Sequence, residues 1–448
     1  MTAAGRRADD PPPRSPGLLP RFDAVTFLTI YLLLLCAIPS FLTIPALGSL
    51  GRPSTVWGLA GFLWWLFHRL QAADDVCTGS PRIRAGIAAV GGAVLLSYGV
   101  NVLQGIPPQE VTVADSGILR MCSWLGIALV ALDGVRTRDQ LRTLVHRIAV
   151  LGVAMAALGL VQFVTGDPVV DRLSLPGFVV SGEFASVQTR AGFSRAAGTA
   201  AHPLEYAVVL SATLPLAIAA VLPRFARRPL RSLIPPVAIV AALMVSVSRS
   251  ALIGLAVGVL LILPSLPPRA RIMAMLSGAG VTVAIAFTVP GMLGTIRGLV
   301  FGALNDPSTK SRSASLLPAL HIASRDLLVG RGFGTFLPNN LILDNQFLLV
   351  LIELGLLGLF ALGLVVLAAM VEGFRPLRCR NDPEARLIGA ALAAGIGANV
   401  TLLFFFDGLA FIMPGGFLFL YIGLAGTLSA LPASDTAIPP QAAAPAQR

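Results

Sequence analysis

Apolar residues in this chain fall into long runs separated by short polar connections, and twelve of the runs approach or reach the roughly 20 residues that cross a hydrocarbon core. They lie at about 24–44, 54–68, 85–104, 116–133, 146–165, 203–222, 232–248, 250–265, 271–289, 345–371, 386–406 and 408–430. The pattern predicts an all-α polytopic membrane protein of about twelve transmembrane helices, with two long external loops at 166–202 and 289–343. In the second loop Leu316, Leu320, Ala323 and Leu327 recur at helical spacing beside Arg312 and Arg325. A short helix lying on the outer membrane surface is expected there, kinked or started by Pro318 and ended by the glycines of GRGFGTF (330–336). The chain thus divides into a tail at 1–23, a single transmembrane domain at 24–430 and a tail at 431–448, both tails Pro-rich and expected to be disordered.

Charge adds an orientation. One alternating set of connections, with both tails, carries twenty-two of the 33 Lys and Arg residues, including Arg69, Arg82, Arg84, Arg136, Arg138 and Arg142. Cytoplasmic loops are marked in this way, so that face and both termini are expected in the cytoplasm. The net charge of +11 is then explained by topology, and no nucleic-acid partner is expected. The N-terminal stretch is too long and Pro-rich for a signal-peptide n-region and precedes an uncleaved first span. The four cysteines have no CxxC spacing, so neither a disulfide framework nor a metal site is indicated.

Candidate chemistry appears where polar groups gather at the external ends of several spans. His202-Pro203 precedes Glu205 at the start of the sixth span; Ser248-Arg249-Ser250 occupies a very tight external turn; Asp344, Asn345 and Gln346 open the run LDNQFLLVLIELGLLG (343–358); Asp407 sits in FFFDG. Ionisable groups at membrane depth face a cavity or one another, and these describe a polar chamber open to the outside. Structural roles compete for each: His202 as a helix cap, Asp407 as a turn residue, Glu353 held by internal hydrogen bonds, and loop arginines tolerated because long loops translocate regardless of charge. Arg249 lies on the face that avoids positive charge and wants an anion. A phosphate or pyrophosphate could engage it together with Arg190 or Arg195, Arg312 and Arg331, since guanidinium groups bind phosphate oxygens bidentately. Without a GxxxxGK[ST] cradle or an external DxD, neither a nucleotide nor a metal-assisted nucleotide-sugar site is supported. A lipid-linked pyrophosphate, with its tail in the bilayer, suits the location.

Three segments in order, SRSALIGLAVGVLLIL (248–263), SRSASLLPALHIASRDLLVGRGFGTF (311–336) and DNQFLLVLIELGLLGLF (344–360), resemble the signature half of the O-antigen ligase and polysaccharide polymerase superfamily. GTAAHPLEYAVVLSATLPLA (198–217) is similar to that family's His-Pro element before a span. The resemblance implies a metal-independent, cofactor-free multi-span (GT-C-like) glycosyltransferase of the bacterial cytoplasmic membrane. It would take a glycan from an undecaprenyl-pyrophosphate carrier and pass it to a hydroxyl of a glycan acceptor at the outer face, alongside other polysaccharide-assembly proteins. By motif the pyrophosphate-binding role maps to Arg249 and Arg312, and it extends to Arg190, Arg195 and Arg331. Ligases usually begin the 344–346 segment with His-Asn, where this chain has Asp344-Asn345. The departure assigns hydroxyl handling to Asp344, with His202, Asn345, Gln346 and Glu353 as acceptor-side or supporting groups. It favours a polymerase of repeat units over a ligase; a lipid-linked glycan flippase is the rival from another class.

Overall fold

A computed structural model of the chain describes residues 23–71, 79–105, 107–167, 169–170, 175–180, 189–190, 193–246, 248–289, 294, 307–337, 341–378 and 382–431. Among the described residues there are thirteen α-helices of 13 residues or more: α1 (Ala24–Cys36), α2 (Pro53–Gln71), α3 (Pro81–Leu103), α4 (Pro108–Gly134), α5 (Arg138–Thr165), α6 (Pro203–Phe225), α7 (Pro229–Val245), α8 (Arg249–Ile262), α9 (Pro268–Thr288), α10 (Pro307–Ala323), α11 (Gln346–Phe374), α12 (Pro383–Leu402) and α13 (Ile412–Ala430). Most open on a proline, whose fixed φ suits the first helical position and whose missing N–H costs nothing there. At α5 a capping box of Thr137 and Gln140 does the same work. The only strands among the described residues are two short antiparallel pairs, β1 (Leu42–Thr43) with β2 (Val179–Val180), and β3 (Thr189–Arg190) with β4 (Phe193–Ser194).

The chain is an all-α polytopic membrane protein. Eight described helices, α3, α4, α5, α6, α9, α11, α12 and α13, are long and apolar enough to cross a bilayer, and α1, α7 and the α8 segment are shorter apolar helices. The expected span at 24–44 is a helix only to Cys36; the chain then turns through β1 into a tight 3-10 turn at Pro45–Leu50. Most of each expected tail, and most of 290–306, lie outside the described residues.

α6, α12 and α13 form the centre, and nearly every residue of α13 is buried. α9 buries only Ala270 and Ala286 and presents the rest of its surface outward, as a lipid-facing helix does. α10 packs on the protein by its small residues. Ser315, Ala319 and Ala323 are buried whereas Leu316, Leu317 and Leu320 are exposed, because small side chains let α10 approach α11 closely and the leucines are left to the apolar surroundings.

The two ends of the bundle differ in chemistry. At one end ion pairs cross-link the connections: Arg84 to Asp133 at 2.5 Å, Arg138 to Asp382 at 2.5 Å, Arg375 to Glu372 at 3.2 Å, and Arg142 to Glu384. At the other end the polar groups are tied to backbone. Thr199 Oγ1 donates to the Cys36 carbonyl at 2.6 Å, and the buried Glu205 carboxylate accepts from Ser40 Oγ (2.9 Å), Ala201 N (2.8 Å) and Met413 N (3.2 Å). One carboxylate thereby joins the α1 exit, the approach to α6 and the start of α13.

Candidate active site

The helix that opens on Asp344-Asn345-Gln346 does not run unbroken. Gly355 in α11 has φ 63° and ψ −164°, and the interruption is filled by the segment 327–332. Leu356 N donates to the Leu327 carbonyl (2.9 Å), Leu357 N to Leu328 (3.2 Å), Arg331 N to Ile352 (3.1 Å) and Gly332 N to Glu353 (2.8 Å). Ser97 on α3 closes the junction by donating to the Glu353 carbonyl (2.8 Å) and accepting from Gly332 N (3.0 Å). Non-helical backbone survives at membrane depth only where protein satisfies its polar groups, and here every exchanged bond has a named partner. At Gly355 the close neighbour is the backbone of this loop, at Leu328 and Val329.

That loop forms one wall of a cavity of about 230 Å³, lined by Phe333, Gly334 and Phe336 from the loop, Arg120 from α4, Asp344, Gln346 and Glu353 from the α11 segment, and Asp407 and Leu409 from the α12–α13 connection. Gln346 clamps the last two pieces together: its N–H donates to the Leu403 carbonyl (2.9 Å) and its Oε1 accepts from Leu409 N (2.7 Å). Phe347 packs on Phe404 with ring centroids 4.2 Å apart. Asn345 caps α11, its Oδ1 accepting from Phe347 N and Leu348 N. Glu353 accepts from Phe336 N at 3.3 Å and so holds the loop wall. The guanidinium of Arg120 lies 5.2 Å from the Phe333 ring and 5.7 Å from Trp124, and its buried Nε has no hydrogen-bond partner among the described residues.

The α12–α13 connection, 403–411, also collects the candidate cations. Arg312 of α10 donates from Nη2 to the Phe405 carbonyl at 2.9 Å and lies 5.5 Å over the Phe405 ring. His202 caps α6, Nδ1 accepting from Leu204 N (3.1 Å), and its ring lies 5.8 Å from Phe411. Arg195 donates to the Ser246 carbonyl at 3.4 Å and is the positive charge that His202 feels. Arg249 opens α8 behind Ser248, whose hydroxyl bonds that of Ser250 (3.0 Å). Gly254 of α8 faces Leu402 of α12 and Gly258 faces Ala398, so the antiparallel register carries Arg249 past Leu402, alongside 403–407.

Two candidates stand apart. Arg331 pairs with Glu110 at 3.5 Å, and its carbonyl accepts from Asn101, which ties it to the α3–α4 side. Arg190 lies on β3, but its side chain is outside the described residues.

Burial, reinforced by the positive charge of Arg195, pushes His202 down to about 4, so it is a neutral imidazole at physiological pH. Burial and then the negative charge of Asp344 raise Asp407 to about 6, opposed by its own backbone N–H and by Arg120. The arrangement can neutralise a departing phosphate on one flank of 403–411 and bind hydroxyl groups on the other. Among the described residues, no group of three His, Cys, Asp or Glu side chains could hold a metal ion.

The sequence pattern passed over Arg120, which sits inside the run expected to span at 116–133, and Arg52, whose buried Nε also lacks a hydrogen-bond partner among the described residues. A lone arginine within an apolar run was the available signal for Arg120.

Residues 236–363 match the family model described as O-antigen ligase. The matched stretch contains Arg249, Arg312, Asp344 and Glu353, and it supports the resemblance of 248–360 to the O-antigen ligase and polysaccharide polymerase superfamily. The match supports a multi-span membrane enzyme of glycan-transferase type. A search of curated proteins found no match.

Proposed function

We propose that the protein is a bacterial cell-surface polysaccharide polymerase of the cytoplasmic membrane. It transfers a glycan from an undecaprenyl-pyrophosphate carrier to a sugar hydroxyl of a second lipid-linked glycan, without a metal, at the face opposite the arginine-rich end. One observation carries the reading: Arg312 and the cavity carboxylates Asp344 and Asp407 meet at a single turn, so a cation for the leaving group stands next to acceptors for an incoming hydroxyl. Arg195, Arg249 and Arg312 stabilise charge on the departing pyrophosphate, and Asp344 orients the acceptor hydroxyl. The arginine-rich charge of the alternating connections supports a cytoplasmic location for both tails.

The test uses purified protein in detergent with a lipid-pyrophosphate-linked repeat unit as the sole substrate. A ladder of products is expected, and Arg312→Ala or Arg249→Ala should lower its rate by ~10²–10³-fold, the usual cost of removing one group that stabilises developing charge. A product formed only when a different acceptor is added marks a ligase instead. Transport without transfer marks a flippase, a reading disfavoured by charges that cluster at the mouth rather than at mid-membrane. Wild-type polymerisation by Arg312→Ala would sink the donor site.

A further inference from the structure

Asp407 is the residue that the turn-former explanation fits least well. Its side chain makes no cap for the short 3-10 turn at Gly408–Ala410. Backbone does that work, through Ala410 N to the Asp407 carbonyl (2.9 Å) and Phe411 N to Gly408 (3.2 Å), with Gln346 accepting from Leu409 N. The carboxylate faces the 230 Å³ cavity instead. Of the four uncharged or anionic polar side chains there, Gln346 and Glu353 are engaged by backbone N–H groups. The carboxylates of Asp344 and Asp407 form no hydrogen bond to any other described residue. Arg120, with its buried and unpartnered Nε, lines the same space. A cavity smaller than the ~300–1,000 Å³ that holds drug-sized ligands, walled by Phe333 and Phe336 and offering two carboxylates that no other described residue engages by a hydrogen bond, suits a single sugar residue.

Resting on the transferase reading above, we propose that Asp407 is the general base that takes the proton from the acceptor hydroxyl, and that Asp344 is its partner, accepting a hydrogen bond from the same sugar. As the acceptor oxygen bonds to the anomeric carbon of the donor, its proton passes to the Asp407 carboxylate. The bond from that carbon to the phosphate oxygen breaks, and its electron pair leaves with the pyrophosphate, whose charge Arg312 meets two residues away at Phe405. Asp407 then releases the proton to water, and no other reactant is required.

The charged and titratable groups around Asp407 are Asp344 before α11, Glu353 on α11, Arg120 on α4, Arg249 at the start of α8, Arg312 of α10 at Phe405, and His202 at the head of α6 beside Phe411. Among them His202 is neutral and already caps a helix, and Glu353 is spent on the loop wall. A base raised to about 6 is also better matched to proton abstraction near neutral pH than an ordinary aspartate.

The experiment is the initial rate of polymerisation by the full-length protein in detergent between pH 5 and 8.5, with lipid-pyrophosphate-linked repeat unit. For the wild type the rate should fall about tenfold per unit below pH 6, as Asp407 becomes protonated. Asp407→Asn should lower kcat by ~10²–10⁴-fold, leave the donor KM within a few-fold and abolish the acid limb. Asp407→Glu keeps a carboxylate and should retain the limb at reduced rate, which separates lost chemistry from lost folding. Asp344→Asn removes a negative neighbour and should move the limb to lower pH. An Asp407→Asn enzyme that keeps both rate and acid limb overturns the proposal, as does an Asp344→Asn enzyme that loses the limb. Either result leaves the donor site standing if Arg312→Ala is still inactive, so the two readings fail separately.

Discussion

Substituting Gly355 by alanine tests whether the break in α11 holds the site together. The φ 63°, ψ −164° conformation is open essentially to glycine alone, and forcing another residue into it costs ~1–3 kcal/mol. A Cβ there would lie 2.3 Å from the Leu328 carbonyl carbon and 2.5 Å from Val329 N. These are backbone atoms that cannot swing aside, so the 327–332 segment has to move away. The movement breaks the bonds from Leu356 and Leu357 to Leu327 and Leu328, and each buried group left unsatisfied costs about 1–3 kcal/mol. A total of ~3–9 kcal/mol is a large share of the ~5–15 kcal/mol that separates folded from unfolded states in typical proteins. The assay is thermal unfolding in detergent beside transferase rate, with Gly363→Ala as control, since a Cβ at Gly363 meets nothing within 4 Å. Gly355→Ala should lower Tm by several degrees and lose activity as the cavity wall at Phe333–Phe336 shifts. A variant as stable and active as the control would refute the junction.

Two further outcomes are expected. Glu205→Leu removes the acceptor of Met413 N and of the buried Ser40 hydroxyl, while Ala201 N keeps Ser40 Oγ, and should destabilise the protein by ~2–5 kcal/mol, read as a fall in Tm. His202→Ala should cost about 1 kcal/mol through loss of the α6 cap, with His202→Asn recovering most of it. The pH dependence of this cap has a definite sign. The folded protein holds His202 near 4, below the ordinary value of about 6.5, so the unfolded chain binds more protons between them and stability falls as pH drops through that window. Asp407, raised to about 6, acts in the opposite direction between 3.8 and 6, so the slope of Tm against pH should be compared between Asp407→Asn and the double variant with His202→Asn.

Most of the helices were legible because each carries an apolar run bounded by proline or polar residues, and membrane helices satisfy their backbone locally. What hid was wherever backbone bonds leave the helix. The break at Gly355 falls inside a run that is apolar but for Glu353, LLVLIELGLLGLF, and its glycine partner at Gly330 is far off in the chain: a Cβ at Gly330 would lie 2.4 Å from the Glu353 carbonyl. Hydropathy cannot register a pairing between residues so far apart in the chain. The orientation of α10 hid for a related reason. Helical spacing marks a stripe of leucines, but in a bilayer a leucine stripe faces lipid as readily as protein, and it is the small residues Ser315, Ala319 and Ala323 that reveal the packed side.

The site was half legible for a reason that bears on how it works. Arg249, Arg312 and Asp344 lie within the segment 236–363 that resembles known relatives, whereas Arg120, His202 and Asp407 lie outside it. The signature segment thus carries two of the proposed donor cations, Arg249 at the start of α8 and Arg312 on α10, with one acceptor carboxylate, but part of the wall around the acceptor comes from α4 and from the connection after α12. Gln346 is the hinge between the two sets, since it belongs to the signature and fixes the 403–411 turn by two hydrogen bonds. A chemistry that must join a headgroup common to many lipid-linked substrates to an acceptor sugar that varies would be served by such a division. Groups for the shared pyrophosphate can stay within one recognisable stretch of sequence, and groups that meet the variable sugar can be drawn from elsewhere, provided one residue keeps the two in register.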